Sequence, residues 1–85
     1  RDFIASHGYG DYFGHGTGHS LGRLIHETPA LNARSDAVLE ENMVVTIEPG
    51  IYLPGRFGVR IEDLLVIKDG GCVNLTSATR DVVII

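Results

Sequence analysis

Two apolar, β-branched runs, MVVTI at Met43–Ile47 and VRIEDLLVI at Val59–Ile67, stand either side of LPGRFG, a segment dense in turn residues. Branching at Cβ favours a pleated strand, while proline and glycine interrupt one. The pattern predicts an antiparallel pair, its first strand stopped by Pro49-Gly50. If the hairpin is symmetric about Gly55, Glu48 stands opposite Glu62, each seven positions away. Any even shift of that register keeps both carboxylates on one face.

The remaining elements follow from local chemistry. Arg1–Ser6 reads as the end of a helix closed by Gly8 or Gly10. Tyr12–Gly22 carries too much glycine for a helix interior and reads as strand or extended loop. Residues 27–42, with Pro29 and LEENM, read as a connecting loop. KDGG at Lys68–Gly71 is a turn, Cys72–Leu75 a third strand and Val82–Ile85 a fourth. The expected class is α+β, an antiparallel meander behind a short helix.

With 85 residues, the chain is one unit at most and has a limited core. Its net charge of −4 and lack of a basic stripe argue against a nucleic-acid partner. No apolar run is long enough for a membrane helix. The single cysteine, Cys72, excludes an internal disulfide, fits a reducing compartment and is expected in the core. The start at RDFIASHG, without methionine, and the apolar end RDVVII read as a piece of a larger protein, residues 1–85 being one incomplete domain.

FGHGTGHSLGRLIHE, residues 13–27, holds three of the four histidines among glycines. In an extended segment His15, Thr17 and His19 share a face, and the glycines at 16 and 18 allow a backbone or a ligand to come close. Glu48 ends an apolar strand, where a carboxylate calls for a partner. Glu62 shares its face with Arg60. Opposed carboxylates repel unless a cation lies between them, and one imidazole with two carboxylates suits manganese, cobalt, iron or zinc. His26, seven residues beyond His19, is suited to proton transfer or to holding a carbonyl oxygen. The plainer alternatives are a salt bridge from Glu62 to Arg60, an exposed strand end at Glu48 and surface histidines. His7 is taken as structural.

GYGDYFGHGTGH, HETP, TIEPGIYLPG, GVRIEDLLVI and NLT, in this order, resemble the C-terminal part of the pita-bread-fold metallopeptidases, the family of Xaa-Pro aminopeptidase, prolidase and methionine aminopeptidase. IEPGIY followed closely by GVRIED is similar to the proline-specific branch. The resemblance implies two divalent metal ions, manganese or cobalt before zinc or iron, with His19, Glu48 and Glu62 as ligands. It implies Glu48 as a candidate general base, His26 as a proton shuttle or oxyanion partner, His15 in the substrate pocket, and Tyr52 and Arg60 in a hydrogen-bond relay. The substrate implied is a proline-containing peptide or dipeptide, and the parent a cytoplasmic homodimer with no nucleic-acid or membrane partner.

The family also uses two aspartate ligands upstream of the histidine motif. Asp2 and Asp11 stand too close to His19 to be those. The segment alone is therefore expected to bind metal weakly and to be inactive. Ser20 stands where many relatives have glycine and is expected at the pocket wall. A metal-free, creatinase-like relative or a non-catalytic binding module on the same fold is the competing reading, and an incidental β-meander a third.

Overall fold

A computed structural model describes all 85 residues. The chain opens with a one-turn helix, α1 (Asp2–Ser6), and a 3-10 turn (Gly10–Tyr12). Seven strands follow: β1 (Gly18–Ser20), β2 (Glu27–Leu31), β3 (Val44–Ile47), β4 (Gly50–Leu53), β5 (Phe57–Arg60), β6 (Asp63–Lys68) and β7 (Gly71–Asn74). Five form a sheet in the order β2-β1-β3-β6-β7, and β4 and β5 form a separate ribbon. Every pairing is antiparallel. The α+β class is as expected.

Gly8 closes α1 at φ +85°, where a residue with a Cβ is strained. The Gly8 N–H donates to Ala5 O, and the Tyr9 N–H donates to Ile4 O, which satisfies the last helical carbonyls.

The hairpin register is the one symmetric about Gly55. Val44 pairs with Val66 and Ile47 with Asp63 in the large sheet, and Gly50 pairs with Arg60 and Leu53 with Phe57 in the ribbon. Two corrections accompany this. Residues 59–67 are not one strand, because β5 ends at Arg60 and β6 begins at Asp63. Likewise the chain after Pro49 does not stop but resumes as β4. Pro49 has no N–H to give a ladder, so the pair changes sheet at Glu48-Pro49 and Ile61-Glu62. One bond holds this junction, from the Ile61 N–H to Pro49 O at 3.2 Å. The two glutamates thus sit where both strands leave the main sheet.

Residues 27–31, expected as loop, form β2 and pair with β1. Pro29 is compatible with this because β2 is an edge strand, where a missing donor costs no ladder bond. The Thr28–Pro29 peptide is cis, and the β1–β2 register shifts between His19 and Ser20. Val82–Ile85 forms no strand, contrary to expectation: it pairs with no neighbouring strand, and all four residues are exposed. Arg80 holds the preceding segment by donating from Nη2 to Asp63 Oδ2 at 2.6 Å.

The core is small. Phe13 and Val45 are its buried apolar side chains, Val45 fully enclosed on β3 between β1 and β6. Cys72 is exposed on β7, contrary to its expected place in the core, because β7 is the edge strand and nothing packs over it.

Candidate metal and catalytic site

Strand β1 carries the site past β3 at very short range. A Cβ on Gly18 would collide with the carbonyl oxygen of Thr46, and one on Gly16 would press on Leu31 O and Asn32 Cβ. The Glu48 N–H donates to Thr17 O at 2.6 Å. Where a Cβ would stand on Gly16 and Gly18, neighbouring protein backbone already sits.

The close approach brings His19 onto Glu48. A carbonyl oxygen only accepts, so His19 Nδ1, 2.9 Å from Ser20 O, carries a proton. Its Nε2 then faces Glu48 Oε2 at 3.2 Å, both side chains mostly buried. Two lone pairs at that distance repel each other, so the pair requires a proton or a cation between them. The His26 ring lies beside His19, centroids 4.4 Å apart.

His15 is fixed at both nitrogens. Nδ1 donates to Gly16 O at 2.7 Å, which leaves Nε2 to accept from the Tyr52 hydroxyl at 3.0 Å. Phe13 supports the ring edge-on at 5.0 Å. Tyr52 reaches this position across a bare lane of the ribbon. Gly50 and Gly58 share its face, and a Cβ on either would lie 2.5 Å from the hydroxyl or 2.7 Å from Cδ1. The neighbouring Tyr52 hydroxyl first, then the Glu62 carboxylate, hold the Arg60 guanidinium above its usual, already very basic range. A raised basic group contributes its stability below that range and loses it only in strong base. Arg60 therefore stays cationic at any working pH.

His15, His19, His26, Glu48, Tyr52 and Arg60 line one open cleft of about 320 Å³, together with Gly16, Gly18 and Asn32. Six of the seven residues picked from the sequence thus converge. Glu62 does not line the cleft. It is exposed, with Oε2 3.4 Å from Arg60 Nη2, and no three acidic, histidine or cysteine side chains close on a single point. A larger hollow of about 650 Å³ lies between β2 and residues 33–43, with Arg34 its only charged side chain. It shares Asn32 with the cleft and contains none of the seven residues picked from the sequence.

Ser20 does not form the pocket wall. It is buried, and its Oγ donates to Val44 O at 2.9 Å, tying β1 to β3. Sequence reasoning missed Asn32 and Thr46. Nothing in the sequence singles out Asn32, which arrives through β2. Thr46 had a signal, since two residues before Glu48 on a strand is the same face. The Thr46 hydroxyl lies 2.9 Å from Glu48 Oε2 and accepts the His19 N–H at 3.1 Å.

The site's donor chemistry, imidazole and carboxylate facing each other in a partly dry cleft, fits a divalent cation. The profile of metallopeptidase family M24 matches residues 1–69. An uncharacterised peptidase of Bacillus subtilis is 55% identical over the whole chain, and an Xaa-Pro dipeptidase of Pyrococcus furiosus 49% identical over 95% of it. Among solved structures, an Xaa-Pro dipeptidase from Bacillus anthracis superposes on 99% of the chain with a TM-score of 0.96 and 51% identity. An X-Pro aminopeptidase from Thermotoga maritima covers 94% at a TM-score of 0.90, also with 51% identity. The chain spans about a quarter of each of these proteins, 23–24% of their length. Profile, identity and superposition agree that the chain belongs to metallopeptidase family M24.

Proposed function

We propose that these residues are the C-terminal part of the catalytic domain of a dimetal peptidase acting on Xaa-Pro bonds, at the N-terminus of peptides or in dipeptides. His19, Glu48 and Glu62 would hold the ions, the remaining ligands coming from elsewhere in a longer polypeptide. Manganese or cobalt is favoured over zinc or iron. The whole protein is read as a cytoplasmic homodimer that takes proline-containing peptides and binds neither nucleic acid nor membrane. The substrate class rests on the names of the relatives, Xaa-Pro dipeptidase and X-Pro aminopeptidase. No helix here is long and apolar enough to cross a membrane.

The observation that carries the reading is the His19–Glu48 pair, whose Nε2 and Oε2 face each other with Nδ1 already committed to a carbonyl. Bound divalent ions supply an acidified water and polarise the scissile carbonyl. The chain's own groups do the rest. Glu48 is the nearest carboxylate able to accept a proton at the cleft floor. His26, exposed at the rim beside His19, is placed to donate to a developing oxyanion. His15 is held too firmly to shuttle protons, so it shapes the pocket and fixes Tyr52. Tyr52 in turn lines the cleft beside Arg60, the cation that pairs with Glu62.

Calorimetric titration with cobalt or manganese tests this. The chain is expected to bind one ion weakly, and His19→Ala or Glu48→Gln to lose that binding. Uptake that neither substitution changes would remove the ligand assignment. The isolated chain is expected to show no Xaa-Pro peptidase activity, and robust turnover would contradict the need for further ligands.

A further inference from the structure

We propose that Thr46 is a positioning residue for this site, its hydroxyl joining the His19 backbone to the Glu48 carboxylate and setting how the two side chains face each other. The proposal rests on the reading of His19 and Glu48 as metal ligands.

Thr46 lies on the central strand β3, is 4% exposed, and shares a face with Glu48. Its neighbours on that strand are Val44, Val45 and Ile47, and valine would fill the same shape. A buried hydroxyl costs free energy unless it is bonded, and here it accepts one bond and donates another, with three polar atoms in reach. Oγ1 accepts the His19 N–H at 3.1 Å, lies 2.9 Å from Glu48 Oε2, and lies 3.4 Å from His19 O. A hydroxyl has one proton to give. The carboxylate oxygen is the closer and stronger acceptor, so the proton goes to Glu48. The oxygen that takes it is the same Oε2 that faces His19 Nε2.

One side chain therefore touches both partners, one through its backbone and one through its carboxylate. It restrains rotation of the Glu48 carboxylate, leaving Oε1 free of the hydroxyl. The β1–β3 ladder has one regular pair, Ser20 with Val45, so His19 depends on this hydroxyl for its amide bond. A purely structural hydroxyl would affect folding alone. A positioning one also affects the affinity of the folded chain for a metal.

Cobalt calorimetry on the unmutated chain, Thr46→Ser and Thr46→Val separates the two, at a temperature where circular dichroism shows all three folded. Serine keeps the hydroxyl and should bind within about twofold of the original. Valine keeps the shape and should bind about tenfold or more weakly, the scale set by groups that orient metal ligands. Equal affinity for valine and threonine overturns the proposal and leaves the ligand reading standing. No cobalt uptake by the unmutated chain overturns both. If Thr46→Val does not fold, low-temperature NMR of the unmutated chain decides. A slowly exchanging Thr46 hydroxyl proton supports the bond to Glu48, and fast exchange with water overturns it.

Discussion

At the scale of single residues, the tightest constraint is the absence of a side chain. Gly18 lets β1 cross β3 so closely that any Cβ meets the Thr46 carbonyl, and a backbone oxygen inside a sheet cannot step aside. Gly14, four residues earlier, has nothing within 4 Å of its Cβ position. Gly18→Ala is therefore expected to cost about 2–3 kcal/mol or to prevent folding. Gly14→Ala should stay within about 0.5 kcal/mol. Urea titration of the two variants checks the contrast, and equal costs would show that β1 does not hold this position in solution. The glycines and histidines were legible in the sequence as a cluster, but strand parity does not account for His15, which lies in a bend before β1, and Thr17 does not join the cleft. What parity could not reveal was the occupant of the space beside each glycine. That is set by β2 and β3, which arrive from elsewhere in the chain. The same gap explains Ser20: its neighbour proved to be the Val44 carbonyl, a partner visible only once β1 and β3 are paired.

At the scale of elements, the hairpin was the most readable part, because β-branched runs about a Pro-Gly turn leave few alternatives. Its symmetric register held on both sides of the junction. Its division into sheet and ribbon was not readable, since the break depends on the missing Pro49 donor combined with a partner that leaves the sheet at Ile61. The edge strand β2 was missed because Pro29 disqualifies a central strand but not an edge one. The ribbon makes its own prediction. Tyr52 lies in the lane left by Gly50 and Gly58, so Gly58→Ala should push its ring off His15. Loss of Overhauser contacts between the Tyr52 and His15 rings would report this. Val59→Ala, on the opposite face of the same strand, should preserve those contacts. Their survival in Gly58→Ala would mean that the lane does not position Tyr52.

For the whole molecule the decisive quantity is how little is enclosed. Six of 85 residues are buried, and only Phe13 and Val45 among them are large or branched apolar side chains. The radius of gyration is 14.3 Å, against about 12 Å for a compact domain of this length. Apolar groups such as Phe3, Leu24, Ile25 and Val82 remain in water. Folding must offset on the order of 1–2 kcal/mol of backbone entropy per residue, and so thin a core leaves a narrow margin. Val45, fully enclosed between β1 and β6, should then carry a disproportionate share of the stability. Removing its two methyl groups costs about 2 kcal/mol from lost burial and the cavity left behind. In a chain of this size that lowers the melting temperature by roughly 8–16 °C. Val45→Ala should therefore abolish the cooperative thermal transition seen by circular dichroism, or shift it by that much. Val73→Ala, 48% exposed on the edge strand β7, should move it by no more than a few degrees. Similar shifts for both would place the chain's stability outside the β1–β3–β6 core. A melt that Val45→Ala leaves unchanged would mean that burial at this position does not hold the sheet together.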